Sequence, residues 1–214
     1  MTRVVVVTGA TGVTGRATAA ALSARGDTVV AVGTDSDRLS TVDAADRRVV
    51  DLTDRAATER LAADVVAAHG RVDGLLHLVG GWRAGSSPAD LDWLTARLVT
   101  TLVNASEAFE TSLVAAPAGR LAIVSSTVVR RDAPPTTAYA TAKLAAENWL
   151  HQLTARWSGT EAAAVTFVVR SIDEGEPGGH GTPGGSTPVA TLAAALVGLW
   201  DRPAAELAGA RIQL

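Results

Sequence analysis

Thr8-Gly9-Ala10-Thr11-Gly12-Val13-Thr14-Gly15 follows the β-branched run 3–7 and leads into the alanine-rich run 14–24. A short apolar β-branched run reads as a buried strand, and a long alanine-rich run as a helix. Glycines at 9, 12 and 15 let the connecting turn be tight and let its backbone approach a ligand closely. The start of the helix offers unpaired N–H groups and the positive end of the peptide dipole, a setting for a pyrophosphate. Gly9, Thr11, Gly12, Val13, Thr14 and Gly15 are therefore candidate dinucleotide ligands. The bland alternative is a glycine-rich turn with no ligand, and the strand–turn–helix context speaks against it.

Outward from this turn, strand and helix alternate. The pattern predicts further strands at 28–32, 48–50, 74–79, 121–125, 163–169 and 210–213. It predicts helices at 54–68, 90–115, 137–157 and 187–200, with Gly70 as a C-cap and a Gly/Pro-rich loop over 175–185. The strands are continuous apolar runs, as expected of strands covered on both faces. The expected fold class is α/β, a single-domain Rossmann-type doubly wound parallel sheet of about seven strands with helices on both faces. No linker divides the chain, so 1–214 is read as one domain.

Composition narrows the function classes. The 214 residues are 47% apolar, enough for one large core. The net charge is −3 with no basic patch, which argues against nucleic acid and against an anionic membrane surface. No cysteine is present, so disulfides, a thiol nucleophile and cysteine metal sites are excluded, and a cytoplasmic location is compatible. No signal peptide is read ahead of the first strand, and no apolar run is long enough to span a bilayer. His69, His151 and His180 lack ligand spacing, so no metal is expected.

At the tip of the second strand, a carboxylate would favour the free ribose hydroxyl of NAD and a cation the 2′-phosphate of NADP. The chain has Gly33-Thr34 there, with Arg16, Ser36 and Arg38 able to join Thr34 around a phosphate, and Asp35 as the contrary sign. The balance favours NADP(H) over NAD(H). Asp51, followed by Leu52, could accept from an adenine amino group or serve only as a turn or N-cap aspartate. Leu52, Val79 and Gly80 stand at neighbouring strand ends and complete the cofactor candidates.

Tyr139 and Lys143 are the only tyrosine and the only lysine, and they stand one helical turn apart. An ammonium beside a phenol stabilises phenolate and lowers its pKa, which makes the phenol a usable proton donor or acceptor near neutral pH. Ser126, at the tip of the fifth strand, could orient a substrate oxygen. The bland alternative is a surface helix that carries both residues.

The glycine loop, Asp51, the strand ending in Ser125-Ser126 and the Tyr139/Lys143 pair resemble the short-chain dehydrogenase/reductase superfamily, over nearly the whole chain. The resemblance implies an NAD(P)(H)-dependent oxidoreductase that reduces a carbonyl or oxidises an alcohol of a small molecule. Tyr139 would be the general acid/base, Lys143 would hold the ribose and lower the Tyr139 pKa, and Ser126 would orient the substrate oxygen. It also implies a homodimer or homotetramer through the two long helices, whose apolar residues occupy more than one face.

The chain departs from the family in four places. The glycine spacing is that of the extended branch. His77-Leu78-Val79-Gly80 replaces Asn-Asn-Ala-Gly, and Leu98 replaces a tetrad asparagine, with Asn104 almost two turns on and facing elsewhere. The exit of the sixth strand, Val169 to Glu174, lacks the Pro-Gly and threonine that anchor a nicotinamide. No helical lid is expected, which leaves the pocket open or closed by a partner subunit. His77, Trp82 and Arg83 fall near the crevice, and Trp82 could stack on an aromatic substrate or be a partly buried loop tryptophan. Two further readings stay open: the same Tyr/Lys pair in a non-redox dehydration, isomerisation or cyclisation, and a non-catalytic dinucleotide sensor.

Overall fold

The fold is described from a computed structural model over residues 2–173 and 185–214. The expected loop 175–185 lies outside these residues except for Gly185, as do Glu174 and His180. Among the described residues, seven parallel strands form one sheet: Val4–Thr8 (β1), Thr28–Gly33 (β2), Asp46–Val49 (β3), Gly74–His77 (β4), Arg120–Ser126 (β5), Ala163–Val169 (β6) and Arg211–Gln213 (β9). Their order is β3-β2-β1-β4-β5-β6-β9, so the winding reverses between β1 and β4. A parallel pair, Ile172–Asp173 (β7) and Thr187–Pro188 (β8), stands apart.

Helices cover both faces. Val13–Ala24 (α1) and Val189–Val197 (α7) lie on one side. Arg55–His69 (α3), Thr101–Ala115 (α5) and Ala138–Arg156 (α6) lie on the other. Short helices Ser36–Ser40 (α2) and Ala204–Leu207 (α8), both missed from sequence, fill connections. Alternate residues of β1 serve opposite cores: Val4 and Val6 pack with Leu61, Phe109 and Leu150, and Val5 and Val7 with Leu22, Leu192 and Leu196. That double coverage explains why the central strands read as unbroken apolar runs.

Three expectations are corrected. The third strand is Asp46–Val49 rather than 48–50. It is an edge strand of alternating exposure, held by an Arg48–Asp46 ion pair of 2.8 Å, and so lacks an apolar run. The helix expected over 90–115 is Pro88–Thr95 (α4), a π-helical turn Ala96–Thr100 and α5. It starts earlier because Ser87 and Asp90 form a capping box around Pro88. The last helix starts at Val189, because Thr187 and Pro188 pair with β7.

Candidate functional site

The carboxyl ends of β1, β2, β4, β5 and β6 open into a cleft of about 660 Å³. Gly9, Thr11, Gly12, Val13, Thr14, Gly15, Thr34, Arg38, Asp51, Leu52, Val79, Gly80 and Lys143 line it, whereas Arg16 and Ser36, also considered for the phosphate, do not. Ser126 and Tyr139 line it too. The cleft sits where the strand order reverses, the place where open α/β sheets bind ligands.

The glycine loop is tight for a steric reason. Gly9 has φ +67°, and a Cβ there would lie 2.5 Å from the Leu78 oxygen. A Cβ on Gly15 would lie 2.4 Å from the Gly9 oxygen. Gly12 caps α1 with extended backbone, no side-chain hydrogen bond and no acidic residue in the first helical turn. The first N–H groups of α1 thus face the cleft with a positive dipole end and no competing anion, and the residues fit a dinucleotide pyrophosphate.

At the adenosine end, Thr11 O accepts from Arg38 Nη2 at 3.0 Å and from Arg16 Nη1, which gathers two guanidinium groups at Thr11. The Asp35 carboxylate accepts from the Arg38 N–H at 3.0 Å and caps α2, so it is turned toward its own helix. Asp51 lines the cleft and is also a turn residue: its Oδ1 accepts from Thr53 N at 2.9 Å and from Thr53 Oγ1 at 2.8 Å. Asn104 faces away from the cleft, as expected, and donates to Leu52 O at 2.9 Å, which fixes that loop from behind.

Around the expected chemical centre, Tyr139 sits in the first turn of α6, whose N-cap Thr137 accepts from Ala140 N at 3.1 Å. Lys143, one turn on, is buried; its Nζ lies 5.8 Å from the Tyr139 ring centroid and donates to Val124 O at 2.6 Å. The expected lowering of the Tyr139 pKa is not what this geometry gives. Burial raises it, because desolvation disfavours phenolate. Burial also lowers the Lys143 pKa to about 8, against an opposing pull from Glu147 one turn further along. Glu147 is itself buried and accepts from Ser125 Oγ at 2.6 Å and from Arg211 Nε at 3.1 Å. Ser126, the last residue of β5, is buried beside them and accepts from Val128 N at 3.4 Å.

His77 occupies the cleft floor. Neighbouring β1 and β4 put Thr8 and His77 in register, and Thr8 Oγ1 lies 2.9 Å from Nδ1. Nε2 lies 3.1 Å from Thr101 Oγ1. Thr101 donates its one hydroxyl proton to Arg97 O at 2.5 Å, so it must accept from Nε2–H. Nδ1 is then bare and accepts from Thr8. Burial, with the nearby Lys143 charge, lowers the His77 pKa to about 3, so the ring is neutral near pH 7. Leu98, aligned with the tetrad asparagine, is buried with Leu94, Ala138 and Ala142 and does not line the cleft.

Sequence reading missed Arg97, Thr101 and Arg170 on the lining. The signal for Arg97 was its (i, i+4) spacing from Trp93, over whose ring it lies at 4.9 Å. Trp82, left open between two readings, is 68% exposed at the rim.

A family model described as short chain dehydrogenase matches residues 3–171. No curated protein matches the chain. Among solved structures, an alcohol dehydrogenase from the archaeon Thermococcus sibiricus, complexed with 5-hydroxy-NADP, is 20% identical with a TM-score of 0.86, over 100% of this chain and 96% of that one. Thermoplasma acidophilum aldohexose dehydrogenase, in ligand-free form, is 17% identical with a TM-score of 0.85, over 100% of this chain and 92% of that one. A putative short-chain dehydrogenase/reductase from Burkholderia xenovorans is 22% identical with a TM-score of 0.82, over 99% of this chain and 94% of that one.

Proposed function

The chain belongs to the short-chain dehydrogenase family, and from that premise we propose that it is an NADP(H)-dependent oxidoreductase interconverting a small-molecule carbonyl and its alcohol. The observation that carries the reading is the meeting of the glycine loop, Ser126, Tyr139 and Lys143 in one cleft at the reversal of the sheet. A bound dinucleotide would supply or accept the hydride. The protein's own residues do the rest. The α1 N-terminus and the glycine loop hold the pyrophosphate. Arg16 and Arg38, gathered on Thr11 O, would take the 2′-phosphate, while the Asp35 carboxylate is engaged as the cap of α2. Ser126 Oγ orients the substrate oxygen. The Tyr139 hydroxyl gives that oxygen its proton on reduction and takes it back on oxidation.

Lys143 acts through its charge. Its ammonium, which donates to Val124 O in the cleft, would hold the ribose of a bound dinucleotide, and a positive charge brought near the phenol would favour phenolate. The absence of cysteine suits a reducing compartment, the cytoplasm. The test mixes the enzyme with NADPH and a panel of ketones and follows the reduced-cofactor absorbance. Tyr139→Phe should lose about 10²- to 10⁴-fold in kcat, with cofactor affinity unchanged by calorimetry. Turnover by the Phe variant at a tenth of wild type or better contradicts the role of Tyr139. Cofactor binding and substrate turnover without absorbance change would select a non-redox step, a reading the missing Pro-Gly and threonine after β6 keeps open.

A further inference from the structure

Charge is unevenly distributed in the cleft. At the adenosine end the lining carries both Asp51 and Arg38. Around Ser126 and Tyr139 the lining carries Arg97, Lys143 and Arg170 and, among the described residues, no carboxylate. Lys143 has its own work and a buried counter-charge one turn away in Glu147. Arg97 has neither.

Arg97 is nonetheless held in place. It lies in the π-helical turn Ala96–Thr100, where the ladder widens. Its Nε donates to Gly80 O at 3.2 Å, and its guanidinium lies over the Trp93 ring. Trp93 and Tyr139 both pack against the cluster of Leu94, Leu98, Ala138 and Ala142, which puts the cation's stacking partner and the phenol on one wall. Gly81 makes room for the stack, since a Cβ there would lie 2.9 Å from the Trp93 ring and 3.2 Å from Arg97 Nε. Arg83 stacks on the same ring at 4.3 Å, but Asp90 answers its charge at 3.4 Å. Among the described residues Arg97 has no ion-pair partner, and its terminal nitrogens make no hydrogen bond.

A guanidinium fixed through Nε and by stacking presents a planar fork whose geometry matches a carboxylate. We propose that the carbonyl substrate is an oxo acid, its carboxylate held by Arg97 and its apolar body against the exposed face of Trp82. This rests on the oxidoreductase reading and names the substrate class of that same site. The carboxylate makes and breaks no bond, so the inference is one of recognition.

The test compares each acid with its neutral amide: 4-acetylbenzoate with 4-acetylbenzamide, and 3-oxobutanoate with 3-oxobutanamide, each with NADPH. The acid should be preferred in kcat/KM in at least one pair. Arg97→Gln should cut the acid-to-amide ratio about 10- to 100-fold, the range of a hydrogen bond to a charged group. Arg97→Lys, which keeps the charge and loses the fork, should fall between. Calorimetry of 4-(1-hydroxyethyl)benzoate and its amide on the enzyme, with NADP present, gives a readout independent of turnover. Equal use of acids and amides, or an Arg97→Gln ratio equal to wild type, overturns the proposal and leaves the oxidoreductase reading standing. If none of the four ketones oxidises NADPH, the binding arm decides. Hydroxy-acid binding that Arg97→Gln abolishes sustains the recognition and counts against the redox reading alone; no preferential binding overturns the proposal.

Discussion

Gly12 separates two demands that coincide at its neighbours. At Gly9 and Gly15 an added Cβ strikes backbone, so any substitution there tests folding and binding at once. At Gly12 the nearest atom to an added Cβ is the Gly9 oxygen at 3.3 Å, and the backbone is extended. Gly12→Asp should therefore fold, since aspartate is a preferred N-cap and would satisfy a free N–H of α1. It should also place a negative charge where the pyrophosphate sits. The expected outcome is an unchanged or raised Tm with NADP(H) affinity weakened at least about tenfold, or roughly 1.4 kcal/mol; unchanged affinity in calorimetry would remove the loop from the cofactor site. Lys143 allows a second separation. Its pKa of about 8 means that its charge is present below that pH and lost above it. The pH profile of kcat/KM for the cofactor, which reports the free enzyme, should thus carry a basic limb near 8. Glu147 pulls that pKa upward. Glu147→Gln, which can still accept from Ser125, should move the limb to lower pH. A limb that stays put while kcat falls would leave Glu147 with a packing role only.

Elements were legible where the cause was local. The strand–turn–helix of the phosphate loop, the helix over α3 with its Asp54 N-cap and Gly70 C-cap, and the strand β6 follow from residues adjacent in sequence. The edge strand β3 was not placed well, because exposure on one face removes the apolar run that marks a buried strand. The π-helical turn was invisible, since nothing in Ala96-Arg97-Leu98-Val99-Thr100 breaks a helix; what accompanies it is the through-space set of His77, Thr101 and the Arg97 carbonyl. The same holds for the site. Ser126, Tyr139 and Lys143 could be read because spacing along one strand and one helix brings them together; His77 could be placed near the crevice from its strand end, but its partners Thr8 and Thr101, like Gly80 for Arg97, lie far away in sequence. The direction of the Tyr139 pKa could not be read either, because spacing does not reveal the burial that sets it. One element carries a clean test. Thr137→Ala removes the side-chain cap of α6 and should cost about 1 kcal/mol of stability. Because Tyr139 lies in that first turn, kcat should fall as well, with cofactor affinity held; loss of Tm without loss of kcat would show that the cap does not set the phenol.

The molecule as a whole is two cores on either side of one sheet, with the cleft at the edge where both end. Arg211, from the last strand, reaches Glu147 and the Val129 carbonyl at 2.9 Å, so β9 ties α6 to the loop after β5 as well as ending the sheet. No helix among the described residues is long and apolar enough to cross a membrane. We propose that two copies associate through α5 and α6. The large apolar residues most exposed among the described ones are Val49, Trp82 and Val128, none of them on those helices, so the joint would be built from half-buried side chains such as Val103 and Leu144. Light scattering at micromolar concentration should give a mass twice or four times 21.8 kDa; a monomer there would contradict the association. The interlocked turn between β1 and α1 has a consequence for heredity. Every single-base change that alters a glycine codon brings in either a stop or a residue with a Cβ. At positions 9 and 15 that one carbon lands within 2.5 Å of a backbone oxygen, whatever follows it in the side chain. Every amino-acid replacement one base away from glycine at position 9 or 15 therefore meets the same backbone collision, whereas at position 12 the cost of a replacement depends on what the new side chain does to the ligand.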